Sequence, residues 1–221
     1  MLKYKTCLLI ILLLALTSFY YVEGKNTALP LFGKVIYIDP GHGGADPGAM
    51  YKNIMEKTIN LEISKKLEKK LGEQGAIVYM TRYDDYDLSV KNTNNRKRSD
   101  LSRRVNIINE SKCDMYISIH LNADTSSTWQ GIQVFYDDVN PENEKLAKVM
   151  QDVLGKRMHS NRQYKELTTI YLHRKVKRLG ILVEAGFLSN PNDRYLLKQN
   201  TYQQKIVNAI DEGILTYWNL K

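Results

Sequence analysis

Two histidines and two carboxylates occupy positions where predicted strands end or a predicted helix begins. His42 follows the first strand within a glycine-rich loop, and His120 and Glu184 each close a later strand. Glu56 begins the first helix, after the loop that holds His42. Ligands of open α/β sheets bind outside the carboxyl ends of the strands, so we expect all four side chains at one edge of the sheet.

These residue types are those of a hydrolytic zinc site. Two imidazoles and one carboxylate leave a fourth tetrahedral position for water, and zinc lowers the pKa of that water to about 7. A second carboxylate outside the metal shell can take the water's proton and pass it to a leaving nitrogen. The chain has no His-Glu-x-x-His helix, which excludes a protease with both histidines on one helix.

Several of these positions also allow structural interpretations. His120 could be a hydrogen-bonded core histidine, Glu56 a first-turn carboxylate favoured by the helix dipole, and Glu184 one half of a buried ion pair. Asp39 either orients His42 or caps a turn. The remaining candidates are assigned to ordinary roles: Asp46 to a turn, His159 and His173 to the surface.

The elements that position these residues alternate between strands and helices. Predicted strands cover residues 34–38, 76–81, 115–119, 131–136 and 181–183. Amphipathic helices are predicted from residue 59 to Gly72 or Gly75, around Leu101–Ile108, over 141–158 and from Asn192 onward, with a long polar loop over 82–99. Most strands are continuous apolar runs, which is typical of strands covered on both faces. The predicted fold is a single α/β domain with a mostly parallel, mixed sheet of about six strands and helices on both faces.

The N-terminus predicts export. Lys3 and Lys5 precede the apolar run 7–16, as in a secretory signal. Counting on to Val22 nearly reaches the length of a membrane span, so cleavage after Gly24 and an uncleaved anchor that contacts the membrane both remain open. We therefore expect a signal or anchor over 1–24, a linker over 25–33 and a catalytic domain over 34–221, placed outside the cytoplasm, secreted or membrane-anchored.

Composition and charge limit the classes of partner that we expect this protein to bind. The 221 residues include 32 Lys and Arg against 24 Asp and Glu, and the charged fraction of 25% is ordinary for a globular protein, which excludes a disordered chain. A basic exported domain is attracted to acidic polymers or lipid surfaces, although the lysines could simply solvate the surface. No nucleic-acid-binding signature is present, so no nucleic acid partner is expected. Two cysteines exclude a disulfide framework, and Cys113 before an apolar strand is predicted to be buried.

Six sequence blocks in order resemble the zinc-dependent N-acetylmuramoyl-L-alanine amidases of the type-3 family, over about residues 34–220. The blocks are Val35–Gly44, Glu56-Lys57 with Asn60-Leu61, Met80–Arg82, Leu101 with Arg104 and Asn109, Ser118–Ala123, and Val183–Asn190. Within the family, the short N-terminal segment, the lack of a wall-binding domain and the run Asn95–Leu101 are most similar to the germination-specific amidases of spore formers. The departures are small: Glu184-Ala185 replaces a frequent Glu-Thr or Glu-Val, and Tyr51 lies in the variable loop.

The resemblance implies Zn²⁺ held by His42, Glu56 and His120, with Glu184 as the catalytic carboxylate. It implies that the amide between the lactyl group of N-acetylmuramic acid and L-alanine is hydrolysed. In spore formers this step removes stem peptides from cortex peptidoglycan on the route to the muramic-δ-lactam needed for germination, which places the protein at the boundary of forespore and cortex.

The same resemblance bears on neighbouring residues and partners. Asn122 is expected to hydrogen-bond substrate, and Arg104 to hold its helix to the loop. Some relatives carry an inserted helix that blocks the metal. Here residues 131–171 contain one amphipathic helix of ordinary length, which argues against built-in blockage and leaves activation by another protein open. Another zinc peptidoglycan hydrolase, a carboxypeptidase or deacetylase, and a non-catalytic wall-binding module are the alternatives.

Overall fold

The computed structural model describes Ile10 and residues 29–219. The predicted export segment therefore lies outside the described residues, apart from Ile10. Within the described part, no helix is long and apolar enough to cross a membrane. The fold is a compact unit that begins at Leu31.

Thirteen elements follow one another in this unit. The strands are β1 (Val35–Pro40), β2 (Met50–Tyr51), β3 (Ile54–Met55), β4 (Ile77–Met80), β5 (Met115–Asn122), β6 (Gln133–Tyr136), β7 (Lys165–Glu166) and β8 (Gly180–Phe187). The helices are α1 (Glu56–Glu73), α2 (Arg96–Glu110), α3 (Asn143–Met158), α4 (Pro191–Leu197) and α5 (Asn200–Asn219).

Six of the strands form one mixed sheet in the order β4-β1-β5-β8-β6-β7. Neighbouring strands are parallel except for β6 and β8, which are antiparallel. The short strands β2 and β3 form a separate hairpin before α1. This architecture confirms the predicted α/β domain with a mostly parallel sheet of about six strands.

The alternation of side chains along the central strands distributes the helices to both faces of the sheet. Ile36 and Ile38 of β1 pack in the large core that α1, α3 and α5 cover. Val35 and Tyr37, which point to the opposite face, pack against a second cluster that contains Val105 of α2. Both faces of β1 are thus covered, as its unbroken apolar sequence predicts.

Two departures from the sequence prediction, the start of α2 and the hairpin of β2 and β3, have a local reason. α2 begins at Arg96 because the side chain of Asn95 accepts a hydrogen bond from the backbone N–H of Arg98, at 3.0 Å, and caps the helix. The predicted loop over 82–99 is therefore shorter. The hairpin of β2 and β3 was not predicted because two-residue strands have no detectable period. The helices predicted from Asn192 onward are confirmed as α4 and α5, with Pro191 in the first turn of α4 and a break before Asn200.

Candidate metal centre and active site

The side chains of His42, Glu56 and His120 meet at the carboxyl edge of the sheet. Nε2 of His42 lies 3.2 Å from Oε2 of Glu56, and Nδ1 of His120 lies 3.0 Å from Oε1 of the same carboxylate. One ligand atom from each residue lies within 4.8 Å of the others. Atoms that share one zinc ion at about 2.1 Å in tetrahedral geometry are about 3.4 Å apart. The three side chains therefore fit a divalent transition metal.

Glu56 is held by backbone groups from two directions. Its Oε2 accepts from the N–H of Ala49 at 2.8 Å, and its Oε1 accepts from the N–H of Leu121 at 3.0 Å. Burial opposes the charge on Glu56, but the hydrogen bonds from His120 and His42 hold the pKa of this carboxyl well below its usual range. Glu56 is thus an ionised, fixed acceptor.

Asp46 orients His42. Its Oδ2 lies 2.9 Å from Nδ1 of His42, which leaves Nε2 of the imidazole facing Glu56. Burial opposes protonation, but the contacts with Glu56 and Asp46 raise the pKa of His42. The possibility that Asp39 performs this orientation is wrong, since the Asp39 carboxylate bonds elsewhere. Asp46 also accepts from the N–H of Gly48 at 3.0 Å, so it makes the expected turn as well.

Two glycines allow the loops to approach the three side chains. A Cβ on Gly41 would overlap the ring of His120. A Cβ on Gly48 would collide with the Glu56 carboxylate and with Cδ2 of His42, and Gly48 has a φ of +67°, which favours glycine. The site therefore requires glycine at both positions.

Two buried arginines fix the loop that carries His42. Arg82 donates to the carbonyl of Gly41 at 2.9 Å, and Arg104 donates to the carbonyls of Pro40 and His42 at 2.8 and 2.7 Å. Arg104 thereby holds α2 to the loop, as expected. No role for Arg82 could be predicted from the sequence, because an arginine after a strand has no signature that separates a buried carbonyl donor from a surface cation.

Asp39 belongs to the structural network of Arg104. It accepts from Arg104 at 2.8 Å, from Thr81 Oγ1 at 2.6 Å and from Ser118 Oγ at 2.8 Å. Burial opposes the charge of Asp39, yet Arg104 and Thr81 hold the pKa of this carboxyl well below its usual value. Each of the two carboxylate oxygens has a donor within the fold, so Asp39 is not available to orient His42.

Glu184 lies next to the three-residue cluster but is bonded differently. It is paired with His120 in the register of β5 and β8, so both side chains lie on the same face of the sheet. Its Oε2 is buried with no hydrogen-bond partner in the described part of the chain. Burial, together with the nearby charge of Glu56, raises the pKa of Glu184 to about 8. A half-buried carboxyl without a protein partner at this place suits a group that exchanges protons.

A cavity of about 550 Å³ opens over these groups. His42, Glu56, His120 and Glu184 all line it, and so does Asn122, whose position suits contact with a bound substrate. Between residues 131 and 171 the only helix is α3, so no additional helix is inserted in this part of the described chain.

Comparison with known proteins identifies the family. The sequence profile described as N-acetylmuramoyl-L-alanine amidase (Amidase_3) matches residues 36–216. The chain belongs to this family.

Relatives within the amidase family share most of the chain. The germination-specific N-acetylmuramoyl-L-alanine amidase of Bacillus subtilis is 46% identical over 201 residues, which cover 89% of this chain and 85% of that protein. The N-acetylmuramoyl-L-alanine amidase LytC of the same organism is 32% identical over 86% of this chain but only 36% of its own length.

Solved structures of amidases have the same fold. The CwlD amidase of Clostridioides difficile, solved in complex with the GerS lipoprotein, superposes with a TM-score of 0.81 and 38% identity, covering 86% of this chain and all of that one. The catalytic domain of the amidase CwlV from Bacillus (Paenibacillus) polymyxa gives a TM-score of 0.74 and 28% identity, covering 85% of this chain and 99% of that chain.

The other histidines of this amidase domain divide between surface and interior. His159 is exposed, as predicted, at the C-terminal end of α3. The prediction that His173 lies at the surface is wrong, because the side chain is only 2% exposed. Its Nδ1 is 2.9 Å from the hydroxyl of Tyr116, and burial lowers the pKa of His173 to about 3. The neighbours of His173 in the sequence are basic, and for this reason a surface position was predicted. Cys113 is buried, as expected.

Proposed function

We propose that this chain is a zinc-dependent N-acetylmuramoyl-L-alanine amidase that hydrolyses the amide between the lactyl group of N-acetylmuramic acid and L-alanine. The observation that carries the proposal is the meeting of His42, Glu56 and His120 beside a buried, unpartnered oxygen of Glu184. Membership of the amidase family and the name of the Bacillus subtilis relative support the choice of this bond.

His42, Glu56 and His120 would hold the zinc ion. Nitrogen and carboxylate oxygen are the donors that zinc accepts in hydrolytic sites, and three protein ligands leave a position open. When bound, the ion supplies Lewis acidity, which polarises a carbonyl and makes a bound water acidic. Asp46 keeps Nε2 of His42 directed toward the Glu56 carboxylate and so prepares the ligand set before any metal arrives.

Glu184 moves the protons of the reaction. In its ionised form, the Glu184 carboxylate takes a proton from the attacking water and then delivers it to the nitrogen of the departing alanine. Partial burial keeps bulk water away from this carboxyl, so the proton passes between the two reacting atoms. Asn122, at the wall of the same cavity, hydrogen-bonds the substrate beside the scissile amide.

The proposed biological role follows the relatives. The germination-specific relative favours the removal of stem peptides from spore cortex, on the route to muramic-δ-lactam. We accordingly propose that residues 34–221 carry out catalysis outside the cytoplasm, after a signal or anchor over 1–24 and a linker over 25–33. The Clostridioides difficile relative is solved in complex with a lipoprotein, which favours a partner protein for this chain as well.

The test is the mass of products released from purified cortex-type peptidoglycan, with and without a zinc chelator. We expect free stem peptides that begin with L-alanine, and their loss when the chelator is present. Release of C-terminal amino acids alone would indicate a carboxypeptidase, and release of acetate a deacetylase.

If the chain were a non-catalytic wall-binding module, we would expect neither released products nor bound zinc. Metal analysis of the purified protein separates this alternative, since about one zinc per chain is expected for the enzyme. A protein that binds peptidoglycan without zinc and without releasing products would contradict the proposed function.

A further inference from the structure

A second groove lies directly beside the active-site cavity. It has a volume of about 570 Å³ and shares Asn122 with the cavity over the metal cluster. Its other lining residues include Trp129, Gln133, Arg162 and Phe187. The proposed reaction uses none of these four side chains.

Arg162 is fixed in this groove by contacts with three side chains. Its Nε and Nη2 donate to Oε1 of Gln133 at 3.1 and 2.6 Å. Its guanidinium lies 5.0 Å from the ring of Trp129 and 5.1 Å from that of Phe187. Gln133 is itself held, since its Nε2 donates to the carbonyl of Gln163 at 2.8 Å. An arginine ordered in this way loses little entropy when it binds a ligand.

The charge of Arg162 has no counter-ion among the residues that the structure describes. Over residues 29–219, no carboxylate lies within ion-pair distance of its guanidinium, and Nη1 makes no hydrogen bond. Asp124 lines the groove, but its Oδ1 accepts from Ser126 and Thr125 instead. A rigid guanidinium with free donors and no acidic partner is suited to a carboxylate ligand, which it can bind through two parallel bonds.

The sheet register places this cation at a defined distance from the reaction. Gln133 is paired with Glu184 across β6 and β8, and Glu184 is paired with His120 across β8 and β5. Paired side chains share a face, and neighbouring strands are about 4.8 Å apart. The anchor of Arg162 is therefore about one strand spacing beyond the catalytic carboxylate, on the side away from His120.

The substrate of the proposed amidase carries a carboxylate at a matching distance. In stem peptides with glutamate as the second residue, the glutamate is joined through its γ-carboxyl, which leaves its α-carboxylate free. Two extended residues span about 7 Å, so this α-carboxylate reaches past Glu184 when the scissile amide lies over the metal cluster. We propose that Arg162 binds the α-carboxylate of the acidic residue next to L-alanine, an inference that rests on the proposed amidase function.

The first experiment measures binding of product-like dipeptides to the purified full-length protein by calorimetry. The two probes are L-alanyl-γ-D-glutamate and the same dipeptide with its α-carboxylate converted to an amide. We expect the acid to bind at least about tenfold more tightly than the amide, because a charged bidentate pair is lost in the amide. In Arg162→Gln, the two dipeptides should bind alike.

Variants at matched positions control for folding and net charge. Arg157→Gln removes an exposed arginine whose partner is Glu212 on the neighbouring helix, and it should keep the preference for the acid. Arg162→Lys keeps the charge without the fork and should keep part of the preference. Thermal unfolding of each variant shows whether the fold is intact.

The second experiment measures hydrolysis of a muramoyl peptide with the free or the amidated glutamate. Arg162→Gln should raise KM for the free acid by about tenfold and leave kcat within about twofold, since Arg162 touches the peptide and not the reacting atoms. Equal binding of both dipeptides by the unaltered protein would overturn the subsite, even if hydrolysis proceeds normally. Preference for the acid without hydrolysis of either muramoyl peptide would contradict the proposed function and keep the carboxylate site.

A third outcome concerns the sugars. If a peptide-free glycan fragment binds the protein and Arg162→Gln weakens that binding while the dipeptides do not discriminate, the groove holds the glycan strand and the proposal is wrong.

Discussion

Two polar clusters meet at the carboxyl edge of the sheet, and they differ in how their charges are satisfied. In the Arg104 cluster, which contains Arg104, Asp39, Asp100, Thr81 and Ser118, the charged groups are bonded within the fold. In the His42 cluster, which contains His42, Glu56, His120 and Glu184, one carboxylate joins both imidazoles and an oxygen of Glu184 has no partner over the described residues.

The difference in hydrogen bonding indicates that the Arg104 cluster supports the fold and that the His42 cluster is suited to chemistry. A buried charge with complete hydrogen bonding stabilises one backbone arrangement and has nothing left to offer a ligand. A buried oxygen without a partner costs free energy in the folded protein and persists at sites where a ligand or proton completes it. The Arg104 cluster fixes the loop of residues 40–42, and this loop carries the imidazole of His42 into the His42 cluster.

The sharpest test of this contrast is Glu184→Gln. We expect kcat to fall by about 10² to 10⁴ because the proton carrier is lost, while zinc content and the free energy of unfolding change little, since no protein partner is removed. Product release, metal analysis and thermal unfolding measure the three quantities. Glu110→Gln, at an exposed position, is the control. Retained activity would remove Glu184 from this role.

Arg104→Met should show the opposite behaviour. It leaves Asp39 and Asp100 buried without their cation, which costs about 3–5 kcal/mol of unfolding free energy. Denaturant unfolding measures the loss, and Arg103→Met on the exposed side of the same helix is the control. If Arg104→Met is as stable as the control but inactive, the Arg104 cluster takes part in the chemistry and the contrast is wrong.

Removal of zinc should lower the free energy of unfolding, but the protein should remain folded. At a free zinc concentration 1,000 times the Kd, binding to the folded state contributes about 4 kcal/mol, and the chelated protein should lose that amount yet stay folded. Thermal unfolding with and without chelator measures the shift. In His120→Ala the chelator should have no comparable effect. Complete unfolding on chelation would show that the Arg104 cluster does not hold the loop by itself.

The smallest expected effect concerns His173, which lies outside both clusters. Its folded pKa of about 3 is below the unfolded value of about 6.5, so the unfolded chain binds the extra proton between these values. The contribution of His173 to the free energy of unfolding is fully present above pH 6.5. It falls by about 2 kcal/mol as the pH drops from 6.5 to 5. His173→Asn should remove this part of the slope in denaturant unfolding, and His159→Asn should not. Equal slopes in all three proteins would contradict the buried, neutral state of His173.

The sequence predicted the fold class and the convergence of four side chains well. Apolar runs that are followed by His42, His120 and Glu184 define parallel strands, and the carboxyl ends of such strands lie at the same edge of the sheet. Boundaries were less predictable, because the start of α2 depends on one capping contact by Asn95 rather than on periodicity.

The bonding around the site could not be derived in the same way. Asp39 precedes His42 by three positions, and Asp46 follows it by four. Sequence distance therefore does not distinguish them, and the turn between Gly43 and Asp46 decides which carboxylate reaches the imidazole. His173 and Arg82 depend on contacts with residues more than 40 positions away, which local patterns do not contain.

Gly41 and Gly48 have a consequence for the interpretation of genetic screens. Alanine at either position carries no charge and removes no donor, yet its methyl group would occupy the space of the His120 ring or of the Glu56 carboxylate. Loss of function should therefore be as severe at these two glycines as at the ligands themselves. A screen that ranks positions by severity would count five members of a metal-binding motif, although the proposed site takes a ligand atom from only three residues.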